Sequence, residues 1–66
     1  MSVPNDSALI QFCLSEATRK GYGAITPSRA SVAARSHIAA TVVFDRPTYG
    51  DSIAVRWHLG KIRVLG

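Results

Sequence analysis

Four residues in the C-terminal third of the chain have the chemistry to bind an anion: Arg56, His58, Lys61 and Arg63. They alternate with apolar residues, so two paired β-strands would place all four on one face. Like charges directly opposite each other across a strand pair destabilise a sheet by roughly 0.2–1 kcal/mol, and folding alone gives no reason to set Arg56 against Arg63. Because an anionic ligand would relieve this repulsion, the pattern predicts a surface that binds nucleic-acid phosphates.

Two further arginines, Arg29 and Arg35, are predicted to support these phosphate contacts. Both fall within Ser28–Ala40, a segment with five alanines that favours a helix. Residues 28–42 also loosely resemble a helix-turn-helix in their small and branched side chains, although no glycine stands where the turn would need one. In that arrangement the basic hairpin would act as a wing beside the second helix.

Motifs for catalysis are weak. Ser36, His37 and Asp45 are residue types too common for their co-occurrence to indicate a catalytic triad. The chain has no nucleophile elbow, no glycine-rich phosphate loop and no paired carboxylates. A small ribonuclease, in which His58 protonates a phosphodiester held by the neighbouring cations, is a third hypothesis. We expect a protein that is not an enzyme and needs no cofactor.

The single cysteine, Cys13, excludes an intrachain disulfide. Together with His37 and His58 it supplies too few ligands for a structural zinc site, so no metal is expected. Cys13 lies on the apolar side of a predicted helix and is expected to be a small buried core residue. A free thiol is typical of a reducing compartment, which predicts a cytoplasmic location.

The first element is predicted to be a helix over Ala8–Lys20. Asp6 or Ser7 is expected to cap its N-terminus, and Gly21 to end it. Apolar residues recur at helical spacing along one side of this segment: Leu9, Ile10, Cys13, Leu14 and Ala17, with Phe12 beside them. The five residues before it are expected to be disordered.

The segment after Gly23 is harder to assign. Thr26 and Pro27 suit the start of a second helix over Ser28–Ala40, and a change to strand is predicted before Thr41–Phe44, which is β-branched and aromatic. A competing interpretation makes all of Ser31–Phe44 one long strand.

The clearest strand signal follows the turn-forming run Asp45–Asp51. Ile53–Leu59 alternates between apolar and polar residues, and Lys61–Leu65 resumes the alternation after Gly60. A two-residue loop at Leu59 and Gly60 pairs Trp57 with Ile62 and Val55 with Val64, so both strands agree on the apolar face. Leu59 suits a left-handed turn position poorly, which leaves a longer loop open.

These elements predict one α+β domain over residues 1–66, with one or two N-terminal helices packed on a three-stranded antiparallel β-meander. The chain has 66 residues, 47% of them hydrophobic, so its core is small and a homo-oligomer is the expected source of extra stability. Since no apolar run approaches the ~18 residues of a membrane-spanning helix, no membrane association is expected.

The net charge of +4 indicates an anionic partner. Residues 46–66 hold four basic residues against Asp51, which gives +3 of that total. The leading prediction is a small, homodimeric regulatory protein that binds DNA or RNA. The alternative is a protein-binding module, such as a phage-type inhibitor or assembly subunit, that binds an acidic protein through its basic hairpin or its sheet edge at Lys61–Leu65.

Overall fold

A computed structural model describes residues 2–66 as one helix packed on a four-stranded antiparallel sheet. The elements are α1 (Asp6–Arg19), a 3₁₀ turn (Pro27–Arg29), β1 (Ala30–Arg35), β2 (Ala39–Arg46), β3 (Asp51–His58) and β4 (Lys61–Val64). The strand order is β1-β2-β3-β4, so each strand pairs with its neighbours in sequence. The predicted α+β class is confirmed, but the sheet has four strands where three were predicted.

The N-cap of α1 lies one or two residues before the predicted cap. Asn5 is the N-cap, and its Oδ1 accepts a hydrogen bond from the Ala8 N–H at 2.9 Å, so the assignment of Asp6 or Ser7 as the cap was wrong. Asp6 lies in the first turn, where its negative charge interacts favourably with the positive end of the helix dipole. The predicted stop at Gly21 is confirmed by its φ of +98°.

The core lies between α1 and one face of the sheet. The helix contributes the predicted apolar stripe, of which Leu9, Cys13 and Ala17 are fully buried, while Phe12 is half exposed. The sheet contributes alternate residues of its two central strands: Ala40, Val42, Phe44, Ile53, Val55 and Trp57. Burial raises the pKa of the Cys13 thiol to about 11, so this side chain is a protonated core residue at neutral pH.

The predicted second helix over Ser28–Ala40 is wrong. Only a 3₁₀ turn forms at Pro27–Arg29, and the alanine-rich run after it is strand β1, which pairs with β2. The competing single strand over Ser31–Phe44 is also wrong, because the chain reverses between β1 and β2. Pairing with β2 overrides the helix propensity of alanine, and the helix-turn-helix interpretation is thereby excluded.

Ser36 fixes this reversal. Its N–H donates to the Ala39 carbonyl at 2.8 Å, and its Oγ accepts from the Ala39 N–H at 3.1 Å. Such local side-chain bonds give serine its preference for turns. A bulge between Val32 and Ala34 adds one residue to β1.

The predicted lead over residues 1–5 is only partly described, because Met1 lies outside the described residues. Val3 packs against the core, and the Pro4 carbonyl accepts a hydrogen bond from Arg35 at 2.7 Å. The disorder of this segment stays a prediction.

The predicted β3–β4 hairpin is confirmed in register. Trp57 faces Ile62 and Val55 faces Val64, which requires the two-residue loop at Leu59 and Gly60. Both loop residues have positive φ, 51° at Leu59 and 84° at Gly60, as a type I′ turn demands. Leucine is therefore held in a conformation that asparagine adopts at lower cost.

We expect Leu59→Asn to raise the free energy of unfolding by about 1 kcal/mol, because it relieves the left-handed backbone at a side chain that is already 52% exposed. Urea denaturation measures the change. Leu65→Asn is the matched control, since Leu65 is equally exposed (54%) and has no positive φ. A Leu59→Asn protein no more stable than the wild type contradicts the turn assignment.

Arg46 ties the β2–β3 turn to the end of α1. Its guanidinium donates to both carboxylate oxygens of Asp51, at 2.8 and 2.7 Å, and to the Gly23 carbonyl at 3.2 Å. It also lies 4.1 Å from the ring centroid of Tyr49 and 5.9 Å from that of Tyr22. The hydrogen bonds from Arg46 lower the pKa of the Asp51 carboxyl. Arg46 therefore connects two parts of the chain that are distant in sequence, the β2–β3 turn and the loop after α1.

We expect Arg46→Ala to lower the melting temperature at neutral pH. The Asp51 pKa is lower in the folded protein, so the stability that the ion pair adds is present above about pH 4 and is lost as the pH falls through the folded pKa. Thermal unfolding between pH 2 and 7 should therefore show a smaller acid-induced loss in Arg46→Ala than in the wild type. Arg29→Ala, which removes an arginine without an acidic partner, is the control; an identical pH profile in Arg46→Ala and wild type would exclude this role.

Candidate nucleic-acid interface

The sheet has one face without a helix, and we call it the open face. Its strand residues are the ones that alternate with the buried positions: Ser31, Ala34, Ala39, Thr41, Val43, Asp45, Ser52, Ala54, Arg56, His58, Lys61 and Arg63. The half formed by β1 and β2 carries small or branched side chains. The half formed by β3 and β4 carries the cations.

The four predicted cations of the hairpin come together on this open face, and we call them the basic patch: Arg56, His58, Lys61 and Arg63. Arg56 is directly opposite Arg63, and His58 is directly opposite Lys61. All four are exposed and line one shallow depression with Ile62 and Leu65. The two cross-strand pairs are two residues apart along the strands, which separates them by about 6.6 Å. The patch therefore presents positive charge in two parallel rows.

No acidic side chain in residues 2–66 neutralises the basic patch. Asp6, Glu16 and Asp51 are committed to other arginines, at 2.6–2.8 Å. The fourth acidic residue, Asp45, lies beside Ser52 at the far end of the open face. Four residues of β3 separate Ser52 from Arg56, a distance of about 13 Å. Within residues 2–66, therefore, no ion pair to Arg56 or Arg63 offsets their mutual repulsion.

Arg29 and Arg35 do not join the basic patch. Arg35 lies on the helix side of the sheet, where it pairs with Asp6 at 2.6 Å and binds the Pro4 carbonyl. Arg29 ends the 3₁₀ turn before β1, and β1 is the edge strand opposite β4. Both were predicted to lie on a helix beside the hairpin. With that helix replaced by β1, Arg29 is separated from the hairpin by the intervening strand β2. Arg35 borders a depression with Arg56, but its guanidinium is held by Asp6 on the helix side.

Sequence reasoning missed two contributions to this surface. Thr41 and Ala34 continue the row that Arg56 and Arg63 begin, so the patch borders a neutral surface two strands wide. Lys20, at the end of α1, lines a second depression with Arg63 at the edge of β4. The alternation of β2 is the signal that could have placed Thr41 on this face. Nothing local in the sequence indicated that the helix end would lie beside β4.

Ser36, His37 and Asp45 do not form a catalytic triad. The Ser36 Oγ is hydrogen-bonded to the backbone of its own turn, and Asp45 lies six residues further along β2 than Ala39. That separation is about 20 Å. Elsewhere in residues 2–66, no three side chains of His, Cys, Asp or Glu cluster as metal ligands.

Comparison of the chain with protein-family models, with curated proteins and with solved structures finds no match. Over the part of the chain that the structure describes, no helix is long and apolar enough to cross a bilayer.

We expect Arg63→Glu to raise the free energy of unfolding by about 0.2–1 kcal/mol, because it converts a like-charge pair with Arg56 into an attractive one. Urea denaturation at low salt measures the gain, which should shrink in 1 M salt. Arg29→Glu makes the same change of charge outside any strand pair and is the control. Destabilisation specific to Arg63→Glu would show that Arg63 has a structural role.

Proposed function

We propose that this protein binds nucleic acid, with the basic patch on the phosphate backbone. The observation that carries the proposal is the pairing of Arg56 with Arg63 on an exposed face, without an acidic partner in residues 2–66. The like-charge pair of Arg56 and Arg63 destabilises a small domain. A ligand with closely spaced negative charges relieves this repulsion when it binds, because each phosphate attracts the arginines that repel each other in the free protein.

The arrangement of the patch suits a polyanion better than a single anion. Its cations are spread over two rows on two strands instead of converging on one enclosed point. The patch is also shallow and exposed, so a ligand can run across it in either direction. A regulatory role, a homodimeric state and a cytoplasmic location stay predictions from the sequence.

The salt dependence of binding tests this proposal. Three cations of the patch are charged at neutral pH, and contacts from all three to a duplex give a slope of about −2.7 in log–log plots of affinity against salt. Affinity should then fall about 40-fold between 50 and 200 mM salt. Fluorescence anisotropy of a labelled DNA duplex, titrated with protein, measures both quantities.

The double variant Arg56→Ala/Arg63→Ala should leave one contact, a slope near −0.9 and a loss of only about fourfold over the same salt range. Arg29→Ala/Arg35→Ala removes the same formal charge outside the basic patch, because Asp6 holds the Arg35 guanidinium on the helix side, and should keep most of the slope. Circular dichroism confirms that each variant is folded. Equal effects of the two double variants would mean that net charge, and not the patch, determines binding.

The edge of β4 supports a second candidate, a protein-binding module. Among the described residues, β4 has a paired strand on one side only, and Leu65 beside it is 54% exposed. An acidic segment of a partner could add a strand there, close to Lys61 and Arg63. Such a complex would persist after nuclease treatment and in moderate salt, whereas a nucleic-acid complex would not.

A further inference from the structure

We infer that the ligand is a double-stranded nucleic acid, held by its phosphates, and that single strands bind less tightly. The inference rests on the proposed function and narrows it. Surfaces that bind single strands combine a basic groove with aromatic side chains on which unpaired bases stack. The open face supplies the charge, and its ring content decides between the two kinds of ligand.

Among residues 2–66, the one aromatic ring on the open face is the imidazole of His58. The chain has five phenylalanine, tyrosine and tryptophan residues, and each lies elsewhere. Phe44 and Trp57 are buried on the helix side, and Phe12 is on α1. Tyr22 and Tyr49 lie beside the Arg46 guanidinium, which is 11% exposed on the helix side of the sheet. A single strand on the open face would therefore find only the small imidazole of His58 on which to stack a base.

The surface beside the basic patch is formed by small side chains. Thr41 and Ala54 border Arg56 on the side away from the other cations, and Ala34 lies beyond Thr41; none has a side chain long enough to separate two bases. A duplex keeps its bases paired inside and presents only phosphates and groove edges. Small neighbours allow its backbone to approach the arginines closely, so the open face matches the outside of a duplex.

Charge density leads to the same choice. A duplex has one charge per about 1.7 Å of axis, and its salt slope is about −0.9 per phosphate contact against about −0.7 for a single strand. For three phosphate contacts, and with base stacking left aside, the salt exponents of the duplex and of the single strand differ by about 0.6. If affinities converge near 1 M salt, the duplex binds roughly fourfold more tightly at 0.1 M.

Competition anisotropy at 0.1 M salt tests the inference with a 20-base-pair DNA duplex, each of its single strands and the RNA duplex of the same sequence. We expect a preference of about fourfold for the duplex over each strand, nearly independent of sequence. The two duplexes distinguish DNA from RNA as the source of the phosphates. Single strands that bind as tightly as the duplex overturn the inference and leave the proposed function intact. Failure of every probe to bind at low salt removes the proposed function itself.

A gain-of-function variant makes the test independent of absolute affinities. Thr41→Tyr adds a ring beside Arg56, and tyrosine suits a strand as well as threonine does. We expect it to raise single-strand affinity about fivefold or more while duplex affinity changes little. Thr41→Val adds no ring and is the control. An unchanged single-strand affinity in a folded Thr41→Tyr protein would contradict the role assigned to stacking.

Discussion

The packing of one helix against one side of the sheet is the contact on which the rest of the structure depends. Leu9, Cys13 and Ala17 are buried against the central strands, and this interface contains nearly all of the fully buried side chains. A chain of 66 residues has only this 14-residue α-helix with which to cover a four-stranded sheet. One face of the sheet is therefore exposed to solvent, and its residues need not be apolar.

That freedom shows in how the charges are distributed. On the helix side, Arg35 and Arg46 each have an acidic partner and a backbone carbonyl, so they hold together segments distant in sequence. On the open face, Arg56 and Arg63 have neither, although they are directly opposite each other. The same residue type thus stabilises the fold on one side and opposes it on the other. Cations without a structural partner, gathered on an uncovered surface, are the physical basis of our proposal that the open face binds a polyanion.

The sequence predicted the parts of this account that depend on local alternation. Val55 and Trp57 alternate with Arg56 and His58, and the pairing across Gly60 agreed from both strands, so the hairpin and its basic patch could be placed correctly. Ser28–Ala40 could not be placed in this way. Its alanines favour a helix by propensity, whereas its pairing with β2 is a tertiary interaction that appears in no local pattern. The error removed Arg29 and Arg35 from the predicted site, because their position depended entirely on that helix.

We propose that the ligand binds to the open face through the basic patch. Chemical-shift mapping tests it most directly: a ¹⁵N-labelled sample is titrated with a short DNA duplex, and amide shifts are followed by NMR. We expect the largest amide shift changes at Arg56, His58, Lys61 and Arg63, and smaller ones at Thr41 and Ala54. Gln11 and Ser15, on the outer side of α1, should be unaffected. Changes concentrated on α1, or around Arg29 and Arg35, would contradict it.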